Sequence, residues 1–161
     1  MRAVEKVFTA LDVEIKSFQN ASQITCLTGC GKCCFKPDIE ATPLEFLPMA
    51  FDLFLTKRID EVHEQLVSGG QAHCHLFTPK PLSLDRGSCG QYVHRGLICR
   101  LFGYSAMKDK DGLRKYVTCK TIKESQAEKV EAVQNELNNG YEIPMMSDYY
   151  FQIRSIDPDL G

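Results

Sequence analysis

Apolar residues recur at three- and four-residue steps near the start of the chain: Val4, Val7, Phe8, Leu11, Ile15 and Phe18. Arg2, Glu5, Lys6, Asp12, Glu14 and Lys16 fill most of the positions between them. This period predicts an amphipathic helix over 3–19 that packs its stripe on the rest of the chain. A polar connector follows over 20–25. The next helical signal opens at Thr42-Pro43-Leu44-Glu45. Thr42 suits the cap, Pro43 the first position, and Glu45 can return a bond to the cap. Leu44, Leu47, Phe51, Leu55 and Ile59 then form a stripe. Pro48 either kinks that helix or separates a short first turn from the rest. A further helical piece over 59–67 stops at Ser68-Gly69-Gly70.

The pattern changes after that stop. Residues 74–77 and 88–93 read as the arms of an irregular hairpin, with 78–87 as a loop turning at Asp85-Arg86-Gly87. A second hairpin joins 104–108 to 113–118 through Lys110-Asp111-Gly112. Ile122, Ala127, Val130, Val133 and Leu137 predict a helix over 121–139, ended by Asn138-Asn139-Gly140. The tail carries Pro144, Met145, Met146, Tyr149, Tyr150, Phe151 and Ile153 and packs back on the core as a short helix or extended segment. Asp157-Pro158-Asp159 is expected to release the chain to solvent. The fold class is therefore mainly α with small irregular β-hairpins. One compact metal-stabilised domain is expected over 1–161, with a motif core at about 22–120 and the helices 3–19 and 121–139 packed on it.

The metal enters through the stretch CLTGCGKCC at 26–34, which places Cys26, Cys30, Cys33 and Cys34 within nine residues. Packing does not call for four thiols so close together, whereas soft thiolates suit zinc and iron–sulfur clusters. The four- and three-residue spacings bring side chains to one side of a tight turn. Gly29 and Gly31 can take positive φ and turn amides toward bound sulfur, and Lys32 and Lys36 add positive charge. Cys33 and Cys34 are adjacent, so in an extended backbone they would point apart. One of them then serves a second site or packs behind the first.

The chain has 161 residues, net charge −2 and 8 cysteines. With no basic excess, nucleic acid is not an expected partner. No apolar run reaches the ~20 residues of a membrane span. A disulfide framework would need an oxidising compartment. Met1-Arg2-Ala3-Val4-Glu5-Lys6 leads straight into the amphipathic segment and shows no secretory signal. A cytoplasmic protein with metal-binding or redox-active cysteines is expected.

Cys74, Cys89, Cys99 and Cys119 are the remaining candidate ligands. Strand alternation would put His73 and His75 on the face opposite Cys74, so the three are not expected to share a metal. His63 reads as a surface residue. Arg95 and Arg100 bracket Cys99 and are candidate counter-charges for a thiolate-rich site; the alternative is that both are surface charges. The second hairpin, by returning the chain, would set Cys119 beside the Cys99 region.

The opening CxxxCxxCC, with Cys74, Cys89, Tyr92, Arg95, Cys99, Arg100, Phe102 and the trailing Cys119, resembles the bacterial YkgJ-like cysteine-cluster family. The resemblance covers about residues 22–120 and all eight cysteines. One departure is Gly96, where the family usually has proline after the arginine. The resemblance implies zinc or iron chelation through the cysteines. Related CxxxCxxCC proteins include flagellin lysine methylases, although this chain is short for a separate S-adenosylmethionine domain. The spacing is also similar to that of radical S-adenosylmethionine enzymes, whose large α/β barrel this chain has neither the length nor the strand–helix pattern to form.

The expected function is cysteine-ligated metal binding, through one centre or two adjacent ones built from Cys26, Cys30, Cys33, Cys34, Cys74, Cys89, Cys99 and Cys119. The cofactor is zinc or an iron–sulfur cluster, and the spacing does not choose between them. Two alternatives differ in class. An iron–sulfur enzyme or redox protein (electron transfer or methyl transfer) would have an open coordination position beside a pocket lined by Tyr92, Arg95 and Tyr104. A zinc-stabilised protein-interaction module would have complete ligation and an exposed apolar patch from the 145–151 tail. Beyond metal ions, the sequence specifies no partner and no membrane association.

Overall fold

Helix α1, Arg2–Ser22, buries Val4, Phe8, Leu11, Ile15 and Phe18 along one face, as its period dictates. The computed structural model describes residues 1–36, 39–69, 73–81 and 83–161, with backbone alone at 83–85. The helix extends past the expected end at 19 and closes on Gln23 in the left-handed region, whose N–H donates to the Gln19 carbonyl. A 3-10 turn, Pro43–Phe46, precedes α2, Leu47–Leu55. Pro48 therefore sits in the first turn of α2, where its missing N–H costs nothing, and the short first turn is separate from the helix. Helix α3, Ile59–Ser68, matches the expected 59–67 piece, and Gly69 at φ 62 stops it. Gly70, Gln71 and Ala72, parts of the expected stop and of the segment before Cys74, lie outside the described residues, as do Pro37, Asp38 and Leu82 in expected loops.

Strands β1 (Phe77–Lys80) and β2 (Ser83–Cys89) form the first hairpin. It is offset from the expected arms: Phe77 pairs with Cys89 and Pro79 with Gly87, so 78–80 and 83–87 are strand rather than loop. Close approach explains the offset, because a Cβ on Gly87 would stand 2.2 Å from the Thr78 carbonyl oxygen. What looks like a turn glycine is a glycine that lets two strands meet. Helix α4, Leu97–Leu101, follows, and then β3 (Ser105–Lys108) pairs antiparallel with β4 (Arg114–Val117) as the expected hairpin around the Gly112 turn, with Ser105 opposite Val117.

The expected helix over 121–139 is broken. Helix α5 is Lys120–Ser125, helix α6 is Ala127–Glu136, and a 3-10 turn completes the run at Leu137–Asn139. Gln126, at φ −138 and ψ 39, is the break. Helix α7, Met146–Ile156, buries Tyr149 and Ile153 against the core. The end of the chain does not leave for solvent, since Leu160 accepts from the Leu44 N–H at 3.0 Å.

The core joins the α1 stripe to Leu97, Leu101, Tyr104, Ala106, Tyr116, Ile122, Val133, Leu137, Tyr149 and Ile153. Helix α1 packs on α7 and α4. The class is as expected, mainly α with two small antiparallel hairpins. The exposed apolar side chains do not gather on the 145–151 tail; Phe51, Phe54, Leu55, Leu66 and Val67 expose theirs along α2 and α3. Among the described residues, no helix is long and apolar enough to cross a membrane.

Candidate metal centre

The cysteine loop is pinned from two sides. On one side the Gln126 side-chain amide accepts from the Thr25 N–H at 3.2 Å and donates to the Thr25 carbonyl at 2.7 Å. The Cys26 N–H donates to the Tyr104 hydroxyl at 2.8 Å. On the other side the Gly87 N–H donates to the Gly29 carbonyl at 3.2 Å, and the Cys74 N–H to the Cys34 carbonyl at 2.8 Å. Between these anchors Gly29 and Gly31 take φ of 68 and 63. A Cβ on Gly31 would stand 2.5 Å from the Phe77 ring, so glycine also lets the loop lie flat on the hairpin. Cys33 and Cys34 then sit in a 3-10 turn, Lys32–Phe35.

Three rings seal the loop to the hairpin. Phe35 meets Phe77 at 5.0 Å and His73 at 5.4 Å, and His73 meets Phe77 at 5.3 Å between centroids. His73 thus works as a packing ring. Cys74 leads into β1, where the Phe77 N–H donates to its carbonyl at 2.9 Å. Cys89 closes β2 opposite Phe77. The first hairpin therefore carries Cys74 and Cys89 to the same end, beside Cys34.

Helix α4 delivers Cys99, and a buried carboxylate holds that helix in place. Glu45 is 1% exposed. It accepts from the Thr42 N–H at 2.8 Å, the Thr42 hydroxyl at 3.1 Å and the Leu97 N–H at 2.6 Å. Gly96 has φ −63, a value proline would fix, so the departure from the arginine–proline pattern leaves the turn tight. Arg100 does not face the thiols. It is buried, pairs with Asp12 at 2.6 Å, lies over the Phe8 ring, and donates to the Arg95 carbonyl at 3.2 Å and to the Val93 carbonyl. It clamps α4 to α1, which corrects the expectation of a counter-charge. Arg95 lies on the thiol side instead. Its guanidinium stacks 4.0 Å over the Tyr92 ring, and its charge assists the fall of Cys33 and opposes the burial-driven rise of Cys89 and Cys99.

Cys119 caps α5, accepting at sulfur from the Ile122 N–H at 3.3 Å. It lies near the Cys26 thiol, and the Gln126 bridge draws the start of α5 to Thr25. His63 is exposed on α3, as expected.

The thiols sense one another. Burial pushes Cys26 up, and Cys30, Cys33 and Cys119 push it further. Burial pushes Cys99 up to about 11, with Cys33, Cys74 and Cys89 adding to it. Burial and then Cys74 and Cys33 raise Cys89 against the Gln91 amide and Arg95. Cys33 goes the other way, to about 6, chiefly because it accepts a hydrogen bond from Cys34, with backbone amides and Arg95 assisting. The same bond raises Cys34, since losing its proton would break it.

No disulfide engages these cysteines: all eight are free, and Cys26, Cys33, Cys74 and Cys99 are exposed. Among the described residues no three His, Cys, Asp or Glu side chains converge closely enough to hold a metal ion as they stand. The donor chemistry fits a thiophilic metal all the same. Thiols from four segments lie within electrostatic reach of each other. Among the described residues Arg95 Nε is buried without a hydrogen-bond partner, and a metal-bound thiolate is an acceptor it could serve. A cavity of about 330 Å³ lies elsewhere, lined by Tyr116, Lys123, Val130 and Gln134, with no cysteine. The residues missed from sequence are Gln126, Glu45 and Asp12. Only Glu45 left a signal, as a cap, and that signal did not point to Leu97.

Neither the search of curated proteins nor that of solved structures returned a match. A family model does match, over residues 25–136, reaching past the expected motif core at 120 into α6. The match begins at the Thr25 anchor and contains every cysteine described above, and on that span the chain belongs to the CxxCxxCC family, described as a "putative zinc- or iron-chelating domain".

Proposed function

We propose that this chain is a single cytoplasmic domain whose cysteines hold zinc or iron. The ligands are drawn from Cys26, Cys30, Cys33, Cys34, Cys74, Cys89, Cys99 and Cys119. One observation carries this reading. The N-terminal loop, the first hairpin, α4 and the start of α5 are separate in sequence, yet they bring thiols near enough to raise each other's pKa. Mutual repulsion of that kind is unfavourable for eight free thiolates and is relieved by a divalent cation. A bound group supplies either a closed tetrahedral link between these segments or, as an iron–sulfur cluster, one-electron chemistry.

The deciding experiment is the metal and acid-labile sulfide content of protein purified without oxygen, with its visible spectrum. Iron with sulfide and a brown chromophore makes it a cluster protein. Zinc without colour makes it a zinc protein. A chain with neither, and with equal metal content in wild type and Cys30→Ser, would sink the proposal. A zinc-stabilised interaction module is the second reading, supported by the exposed Phe51, Phe54, Leu55, Leu66 and Val67 on α2 and α3.

A further inference from the structure

We infer that α2 and α3 are the interface of a two-fold dimer, in which each copy lays this helical hairpin against the same hairpin of a second copy. The inference rests on the reading of this face as an interaction surface and names its occupant. It does not depend on the metal.

Both helices are apolar on the side that faces water. Asp52 is the one polar residue of α2, which buries Pro48 and Leu53. Leu47, Phe51, Phe54 and Leu55 lie on the other side, at i, i+4, i+7 and i+8, and all four are exposed, Phe54 by 64%. A helix that is hydrophobic all round is ordinarily covered all round. Helix α3 repeats the pattern with Ile59, Leu66 and Val67 at i, i+7 and i+8, again exposed. Among the described residues α3 has no buried member, and Val62 alone is half-buried. A helix of ten residues is marginal in water without packing. The core supplies almost no packing to α3, so a second surface has to.

Area and charge make that surface another copy. At ordinary residue areas the seven exposed residues leave roughly 650 Å² to water, and each partner of a standard interface buries ~800 Å². Thr56, Lys57 and His63, exposed beside them, extend the face toward that size. The rim carries both signs. Lys57 and Arg58 at the turn and Asp60, Glu61 and Glu64 on α3 are all exposed, and Arg58 pairs with Glu61 at 3.6 Å. Such a rim meets its own copy without the repulsion that a single sign would bring, and it offers no special fit to a strongly basic or strongly acidic partner. A cover that α3 needs each time the chain folds is most directly supplied by the chain itself, and two-fold homodimers are the commonest oligomers. Two such hairpins make a four-helix layer in which each apolar stripe fills the grooves of the other.

The test is sedimentation of the 161-residue chain as purified, kept reduced so that no disulfide links two copies. Wild type should run at twice the chain mass of 18.2 kDa. Phe54→Glu with Leu66→Glu should run as a monomer and keep the metal content of wild type. Phe151→Glu, at an exposed apolar position on α7, should stay dimeric. Phe54→Ala, which favours the helix, serves where the double variant loses its helical circular dichroism, and should weaken the dimer by about 10-fold or more. A wild type that runs at the mass of one chain would overturn the second copy as occupant, while leaving the face to a different protein and leaving metal binding intact. A dimer undiminished by Phe54→Ala, or by the folded double variant, would put the contact on another face and overturn the inference. So would an equal loss of dimer in Phe151→Glu.

Discussion

Gln126 and Thr25, 101 residues apart, hold each other by two hydrogen bonds, with the Gln126 amide accepting from the Thr25 N–H and donating to its carbonyl. The same residue interrupts the helix between α5 and α6. One position thus sets both the start of the cysteine loop and the direction of the helix that Cys119 caps.

Gln126→Ala removes both bonds. At about 0.5–1.5 kcal/mol for each hydrogen bond, the loss should be about 1–2 kcal/mol. Zinc release to a chelator should also quicken, because Cys26 and Cys119 lose their shared anchor. Thermal melts with and without zinc check both effects. A variant as stable as wild type in both states would show that the bridge contributes nothing.

The Gln126 break also shows how far the sequence could be read. The α1 stripe was legible because Val4, Phe8, Leu11, Ile15 and Phe18 carry their period locally. The second hairpin was legible because Asp111-Gly112 marks its turn locally, whereas its register came only with the fold. The break in 121–139 was not, since its compensation lies at Thr25, far off in sequence. Gly87 misled for a similar reason: its role is the approach of Thr78 and Phe77 from the other strand. Arg100 looked like a counter-charge beside Cys99, but its partner Asp12 is 88 residues away on α1. The cysteine motif itself was plain, because local spacing carries its chemistry. Which thiols meet depends on the tertiary anchors.

Glu45 illustrates an anchor whose loss should be costly. It is buried, and three donors from two segments converge on its carboxylate. Glu45→Ala strands the Leu97 and Thr42 N–H groups and should destabilise by about 2–4 kcal/mol. Glu45→Gln keeps one accepting oxygen and should lose less. Urea unfolding midpoints order the three proteins. Equal midpoints for Ala and Gln would mean that the Leu97 bond is not what holds α4.

Gly96 offers the opposite change. Its φ of −63 suits proline, and the preceding Arg95, with ψ 143, already has the extended backbone proline requires. Its N–H makes no hydrogen bond to the described residues. Gly96→Pro should stabilise by about 0.4–1 kcal/mol through the unfolded chain, a Tm rise of a few degrees. A Cβ there meets Glu45 Oε2 and the Phe46 ring at 3.1 Å. A Tm below wild type would mean that this contact outweighs the entropy gained.

Cys33 and Cys99 are both exposed, yet they should react at different pH in the metal-free, reduced protein. The hydrogen bond from Cys34 holds Cys33 down to about 6, so at pH 7 it is mostly thiolate, the nucleophilic form. Partial desolvation of its sulfur by the surrounding protein, with the Cys33, Cys74 and Cys89 thiols nearby, holds Cys99 up to about 11, so at pH 7 it is almost wholly thiol. Iodoacetamide at pH 7 should therefore label Cys33 well before Cys99, as read by peptide mass spectrometry. Lowering the pH through about 6 protonates Cys33 and should slow its labelling, while Cys99 stays slow throughout that range. Cys34→Ala removes the donor and should move the Cys33 labelling midpoint upward. Zinc, where it binds through Cys33, should protect it at every pH tested. Equal labelling of Cys33 and Cys99 at pH 7, or a Cys33 midpoint unmoved by Cys34→Ala, would show that the adjacent thiol does not set the reactivity of this loop.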